Sequence, residues 1–471
     1  MKSRVEDPLC LSYGQNPALR KLITKELITN KLIPSYHSLL PAQHMLNLSV
    51  TATLAKAITP SHGIPDQELT ALRTGMRRYV QEWLSEREKG GHGWSMDPYR
   101  KDVVAAVKEA AHKVKAEHIR TIVWIGIGGS GLGPKVLQEV FETPDTVEFI
   151  VLDTLDPSIV QVVTTIVDWR STLLVIASKS GGTLEPMALF FHCYEKLKEA
   201  RGNRASDYVL AVTDPASGIL HDYCLAEGIA MLPIPPDVGG RYSIFTPVGL
   251  LPIALLSGNV DSFIRGAKEM DTLCQSPSID ENPAALLAAV QYILDLKRNY
   301  PIRVIMPYSQ RLASIARWDQ QLIAESLGKT ETNNPIPMAA IGTQDQHSLL
   351  QQWMAGPRSQ WLLFIREEDK PRVFLPEELP PPFTNLGGKS LGKLLDACAD
   401  GTAAALTAAK RPHATITLPR LDERHLGQLF FLLMAEVIFL GKLYRIDPYG
   451  QPAVEIGKKF TKDILSKGKE E

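Results

Sequence analysis

Two short loops hold the residue types that could handle an anion. Gly126-Ile127-Gly128-Gly129-Ser130-Gly131 follows the β-branched run Thr121–Ile127 and opens a helix expected over Gly133–Phe141. Glycines let a backbone approach an anion closely, and a helix N-terminus offers free N–H groups and the positive end of its dipole. The spacing matches G-x-G-x-x-G, and Asp153 ends the next expected strand where a ribose would want a carboxylate. Pro134 stands where a Walker loop needs its lysine. This loop alone does not separate a dinucleotide from a sugar phosphate, or either from a plain glycine turn. The second loop, Ser178-Lys179-Ser180-Gly181-Gly182-Thr183, follows the strand-like Thr172–Ala177 and leads into Leu184-Glu185-Pro186. Thr183 is placed to cap the helix, and Pro186 fits only its first turn. Rotating hydroxyls, a lysine and backbone N–H groups together can saturate the oxygens of a phosphate monoester. A dinucleotide fold has no use for a second anion cradle, so a phosphosugar is the better reading.

The S-K-S-G-x-T-x-E stretch resembles the phosphate loop of sugar-isomerase (SIS) domains, with Gly129 and Ser130 as the neighbouring wall of one pocket. Further segments narrow the resemblance. Val238-Gly239-Gly240-Arg241-Tyr242-Ser243 is similar to the G-G-R-[FY]-S signature of the glucose-6-phosphate isomerase family. Trp318-Asp319-Gln320-Gln321, leading to Glu325-Ser326-Leu327-Gly328-Lys329, resembles its catalytic-glutamate helix. Gly342-Thr343-Gln344-Asp345-Gln346-His347 resembles its histidine segment, and Gln451-Pro452-Ala453-Val454-Glu455-Ile456-Gly457-Lys458 its Q-P-G-V-E-x-G-K signature. The motifs run in the family's order from Gly126 to Lys458. Two departures stand out. Pro236 replaces an acidic or small polar residue, and Asp447-Pro448-Tyr449-Gly450 replaces the usual N-P-F-D.

The resemblance implies reversible conversion of glucose 6-phosphate and fructose 6-phosphate through a cis-enediolate, in glycolysis and gluconeogenesis. Such a reaction opens a ring, takes a proton from C2, stabilises an enediolate and returns a proton to C1. One carboxylate can make both transfers if it stays dry and near both carbons. Glu325 is the candidate, among Leu322, Ile323, Ala324 and Leu327; the alternative is a surface glutamate paired with Lys329 at i+4. His347 can move a proton between ring oxygen and O1, Lys458 can assist ring opening, and Arg241 can face the enediolate oxygen. Gln321, one turn before Glu325, is expected to touch sugar hydroxyls. No His/Asp/Glu/Cys cluster has ligand spacing, so neither metal nor cofactor is expected. The resemblance also implies a homodimer in which His347 serves the neighbouring chain's pocket. Two rivals are a phosphosugar sensor, which needs none of Glu325, His347 or Lys458, and a dinucleotide-dependent oxidoreductase.

These side chains need a frame. Apolar strand-like runs alternate with helical segments, which indicates parallel sheets covered on both faces. Val147–Asp153, Thr172–Ala177 and Tyr208–Val212 belong to a first block; Arg303–Met306, Met338–Ile341, Trp361–Ile365 and Thr415–Leu418 belong to a second. The expected fold is α/β: two tandem doubly wound SIS-type domains (116–280 and 281–445), a helical N-terminal arm (1–115) and a C-terminal arm (446–471) carrying Lys458. The chain has 471 residues, 44% hydrophobic and 22% charged, with 51 Lys+Arg against 52 Asp+Glu. That balance argues against a nucleic-acid or membrane-surface binder. The apolar run Leu429–Leu440 carries Glu436 and is too short to span a bilayer. The start MKSRVEDPLC lacks a signal-peptide core, and five scattered cysteines without a CxxC pair fit a reducing compartment. A soluble cytoplasmic protein is expected.

Overall fold

The computed structural model describes residues 45–467; the N-terminal decapeptide and Cys10, read above for targeting and redox, lie outside them. Among the described residues ten strands form two five-stranded sheets. In chain order they are β1 (Asn47–Ser49), β2 (Thr121–Ile125), β3 (Glu148–Leu152), β4 (Thr172–Ala177), β5 (Val209–Thr213), β6 (Ala230–Pro233), β7 (Ile302–Pro307), β8 (Ile336–Ala339), β9 (Gln360–Glu367) and β10 (His413–Leu418). The first sheet has the order β3-β2-β4-β5-β6, and all its pairs are parallel. Every residue of β2 and β4 is buried, as unbroken apolar strands between two helical layers require. In register, Trp124 of β2 lies between Val151 of β3 and Val175 of β4.

The second sheet runs β1-β10-β9-β7-β8. Its four later strands are parallel and repeat the winding of the first sheet. The edge strand β1 is antiparallel, with Leu48 opposite Ile416. The sequence reading placed only helices and irregular segments in the first hundred residues. Three residues, Asn-Leu-Ser, carry too little pattern to announce a strand; its pairing partner lies more than 360 residues downstream.

Strand alternation divides the core of the second sheet. Val304 and Met306 face a small cluster with Trp353, Leu362 and Phe364, while Ile305 joins the large core that also takes in the first sheet. Through that large core runs the helix Glu423–Tyr444, of 22 residues. The expectation that this apolar stretch is too short to span a membrane is corrected: by length and composition the helix could, and 94% of its most apolar window is buried within the fold. Its Glu436 is fully buried against Arg303 of β7, Oε1 lying 2.7 Å from Nη1, and the other guanidinium nitrogen is 3.2 Å from Asp319 Oδ1. Asp319 belongs to Ala313–Leu327, the helix that carries Glu325. The buried ion cluster therefore locks the glutamate helix to both a strand and the core helix.

Candidate active site

In the first sheet the winding reverses between β2 and β4, so the loops leaving their C-terminal ends flank the usual ligand position in such sheets. Those loops are Gly126–Gly131 and Ser178–Thr183. Ser178 is buried, and its hydroxyl accepts from the Gly181 N–H at 3.2 Å; the exposed Ser180 accepts from Gly182 N–H at 3.2 Å. Each hydroxyl keeps its own proton for an incoming oxygen. Gly181 has φ of +63°, and a Cβ there would stand 2.3 Å from the Leu220 nitrogen, so the turn admits only glycine. Thr183 occupies the N-cap of Leu184–Arg201 as expected, yet makes no side-chain capping bond. Lys179 is not aimed at solvent. Its Nζ donates to the carbonyls of Pro236 (2.7 Å) and Val238 (2.9 Å), tying the hydroxyl loop to the segment that delivers Arg241.

The first glycine loop meets that same segment. A Cβ on Gly129 would lie 2.1 Å from the Gly240 carbonyl oxygen; one on Gly128, where φ is +59°, would lie 2.8 Å from Gln321 Nε2. The glycines thus allow the loop, the Arg241 turn and the Glu325 helix to close together. Helix Gly129–Phe141 begins four residues earlier than expected, with Ser130 in its first turn. Asp153, the candidate ribose ligand, stands 3.9 Å from Lys135.

Gln321 and Glu325 lie one turn apart on one helix face, and Gln321 Nε2 donates to Glu325 Oε1 at 2.9 Å. The other carboxylate oxygen faces Arg241 Nη1 at 3.4 Å. Glu325 keeps 29% side-chain exposure beside a nearly buried arginine (4%). The Lys329 alternative fails, because Lys329 donates to the carbonyl oxygens of Asp447 (2.5 Å) and Tyr449. Burial and the nearby Arg241 charge lower its pKa. Arg241 is the hub. Nε donates to Ser326 Oγ at 2.7 Å, Nη1 also to Gln451 Oε1 at 2.9 Å, and Nη2 to the carbonyls of Pro448 (2.7 Å) and Gly450 (3.0 Å). All five of its N–H groups have partners. Its charge is fixed beside Glu325, and only the long bond to that carboxylate is loose enough to be redirected.

Sequence reasoning gave no role to Ser326, Gln451 or the 447–450 carbonyls. Ser326 and Gln451 stand inside the quoted motifs, but main-chain acceptors leave no residue-type signal. Gln321 Oε1 is buried without a hydrogen-bond partner.

His347 and Lys458 are not bonded to this group. His347 is exposed on the short helix Gln344–Ser348. That segment is anchored through its neighbours: Asp345 accepts from Ile341 N–H at 2.7 Å, and Gln346 donates to Thr402 Oγ1 at 2.6 Å. Lys458, half exposed, pairs with Glu455 at 2.8 Å on the helix Pro452–Lys467, whose residues 452–466 are all exposed. Among the described residues no group of three His, Cys, Asp or Glu side chains could hold a metal ion.

The phosphoglucose isomerase family matches residues 94–471. A glucose-6-phosphate isomerase of Carboxydothermus hydrogenoformans is 34% identical over 81% of this chain and 86% of its own. One of Rubrobacter xylanophilus is 34% identical over 85% of this chain and 94% of its own. Among solved structures, a hypothetical protein of Thermus thermophilus superposes with a TM-score of 0.82 at 31% identity, covering 89% of this chain and all of that one. A Chlamydia trachomatis glucose-6-phosphate isomerase shares the fold, with a TM-score of 0.77 at 22% identity over 87% of this chain and 88% of its own. With a glutamate held between a glutamine and a buried arginine beside a hydroxyl-rich loop, and with relatives matched over most of both chains, the protein belongs to the phosphoglucose isomerase family.

Proposed function

We propose that the chain interconverts glucose 6-phosphate and fructose 6-phosphate by metal-independent acid–base catalysis through a cis-enediolate. The observation that carries this reading is the placing of Glu325 between Gln321 and Arg241, on the helix that meets the first glycine loop. Ser178, Ser180, Thr183 and the first-turn N–H groups take the phosphate, with Gly129 and Ser130 as the adjoining wall. Lys179 holds the loop in register. Gln321, one turn before Glu325 and bonded to it, contacts a sugar hydroxyl. Glu325 removes the C2 proton of the open-chain aldose and delivers it to C1 of the enediolate, giving the ketose; the reverse reaction retraces these steps. Arg241 supplies a fixed positive charge as negative charge develops on the enediolate oxygens.

His347 serves proton transfer between ring oxygen and O1, and Lys458 assists ring opening. Both lie on exposed elements, which supports a homodimer whose pockets each draw on two chains. The activity fits glycolysis and gluconeogenesis in the cytoplasm. A coupled assay converting fructose 6-phosphate to glucose 6-phosphate, run with a chelator, tests the reading. Wild type should turn over unimpaired and Glu325→Gln should lose about 10²–10⁴-fold in kcat. Turnover abolished by chelator, or retained in full by the variant, would contradict it.

A further inference from the structure

Behind Arg241 lies a second layer that the sequence motifs did not predict. The turn 447–451 gives Arg241 two main-chain acceptors and the Gln451 amide, and it accepts Lys329 through Asp447 and Tyr449. Tyr449 stands where the family stretch quoted above carries phenylalanine, so its hydroxyl is an addition. That hydroxyl is not idle. It meets His92 Nδ1, and Trp94 Nε1 donates to it at 3.0 Å. His92 Nε2 lies 2.7 Å from Glu86 Oε2, and Glu86 in turn accepts from Lys442 at 2.8 and 3.0 Å.

The chain has a direction. An indole N–H can only donate, so Tyr449 accepts from Trp94 and spends its own proton on His92 Nδ1. His92 then donates from Nε2 to the Glu86 carboxylate. Burial lowers the His92 pKa despite the pull of Glu86, which favours the neutral ring this direction needs. His92 itself sits at φ of +55°, an uncommon conformation that aims the ring. The Tyr449 ring packs on Tyr242 at 5.4 Å between centroids, and Tyr242 on Trp94 at 5.8 Å. Yet a cleft of about 540 Å³, lined among others by His92, Lys442, Asp447, Pro448 and Tyr449, lies against the same turn. Packing is therefore incomplete there, and the hydroxyl makes up the constraint.

We propose that Tyr449 is a positioning residue: its hydroxyl, held between Trp94 and His92, fixes the 447–451 turn, and the turn's carbonyls fix the Arg241 guanidinium beside Glu325. The proposal rests on the isomerase reading for its catalytic consequence, though not for the clamp itself. Tyr449→Phe keeps the ring and removes the hydroxyl; His92→Asn removes the same bond from the other side and tolerates the left-handed backbone. In either folded variant, hydrogen exchange of the peptide covering 445–451 should quicken about three- to ten-fold, the span one net hydrogen bond allows. The kcat for fructose 6-phosphate should fall about as much, with KM changed less than about two-fold, since the substrate's phosphate contacts are untouched. In an Arg241→Lys background, Tyr449→Phe should cost no further kcat, because the two act through one contact. Unchanged exchange overturns the clamp. Faster exchange with wild-type kcat, or a full additional loss in the Arg241→Lys background, overturns the positioning role. A turn that loosens in an enzyme whose wild type leaves fructose 6-phosphate unchanged would uphold the clamp and remove the isomerase reading instead.

Discussion

Arg241 shows how much a single side chain can owe to acceptors that sequence does not label. Its type and the glycines before it were legible; its contact with Glu325, 84 residues away, joins two segments that were read separately. That four of its five N–H groups would be absorbed by Ser326, Gln451 and two carbonyls was not, because a carbonyl acceptor is common to every residue. The consequence is a fixed charge rather than a mobile clamp. The phosphate loop behaves differently. Ser178 and Ser180 use their lone pairs on the loop's own N–H groups and keep their protons, and Thr183 spends nothing on capping. Replacing Ser178 and Thr183 together by alanine should raise KM about ten-fold or more, two lost bonds to a charged group. It should also abolish competition by inorganic phosphate. Phosphate that never competes in the wild type would remove the loop from substrate binding.

At the scale of elements, eight of the ten strands were readable from their apolar runs, and the glutamate helix from the motif it carries. Two edge strands were not: β1 is three residues whose only warrant is distant β10, and β6 is four residues ending in proline. The helix Glu423–Tyr444 runs past both ends of the apolar stretch Leu429–Leu440, because its first turn and Lys442 are polar. Glu436, inside that stretch, is paired with Arg303. Burial raises the Glu436 pKa to about 7, with Arg303 pulling it down and Asp319 pushing it up. The folded state thus holds a proton that the unfolded chain, with an ordinary glutamate, releases near pH 4.5. The stability this contributes is present at low pH and is lost as pH rises from about 4.5 through about 7. Glu436→Gln keeps the shape and cannot titrate. Its Tm, measured by calorimetry, should improve relative to wild type between pH 5 and 8. A difference in Tm that stays flat across that range would place the titration elsewhere.

Among the described residues both His347 and Lys458 are exposed, although each stands in a segment that resembles a family motif. The motifs themselves carry no sign of that exposure; only the family resemblance implied that His347 serves the neighbouring chain's pocket. A shared pocket makes a specific forecast. Refolding Glu325→Gln together with His347→Ala in equal amounts should restore activity that neither variant shows alone. In the mixed dimer, one pocket would carry both lesions and the other neither. Absence of rescue, with the mixed dimer confirmed by differently tagged chains, would assign both residues to one chain. The central claim, that Glu325 carries the proton between C2 and C1, is tested most directly by exchange in heavy water. Glucose 6-phosphate incubated with wild type should gain deuterium at C2. Glu325→Gln, though still protected against thermal unfolding by glucose 6-phosphate, should slow that gain by about 10²–10⁴-fold. Exchange at the wild-type rate in the variant would contradict the account.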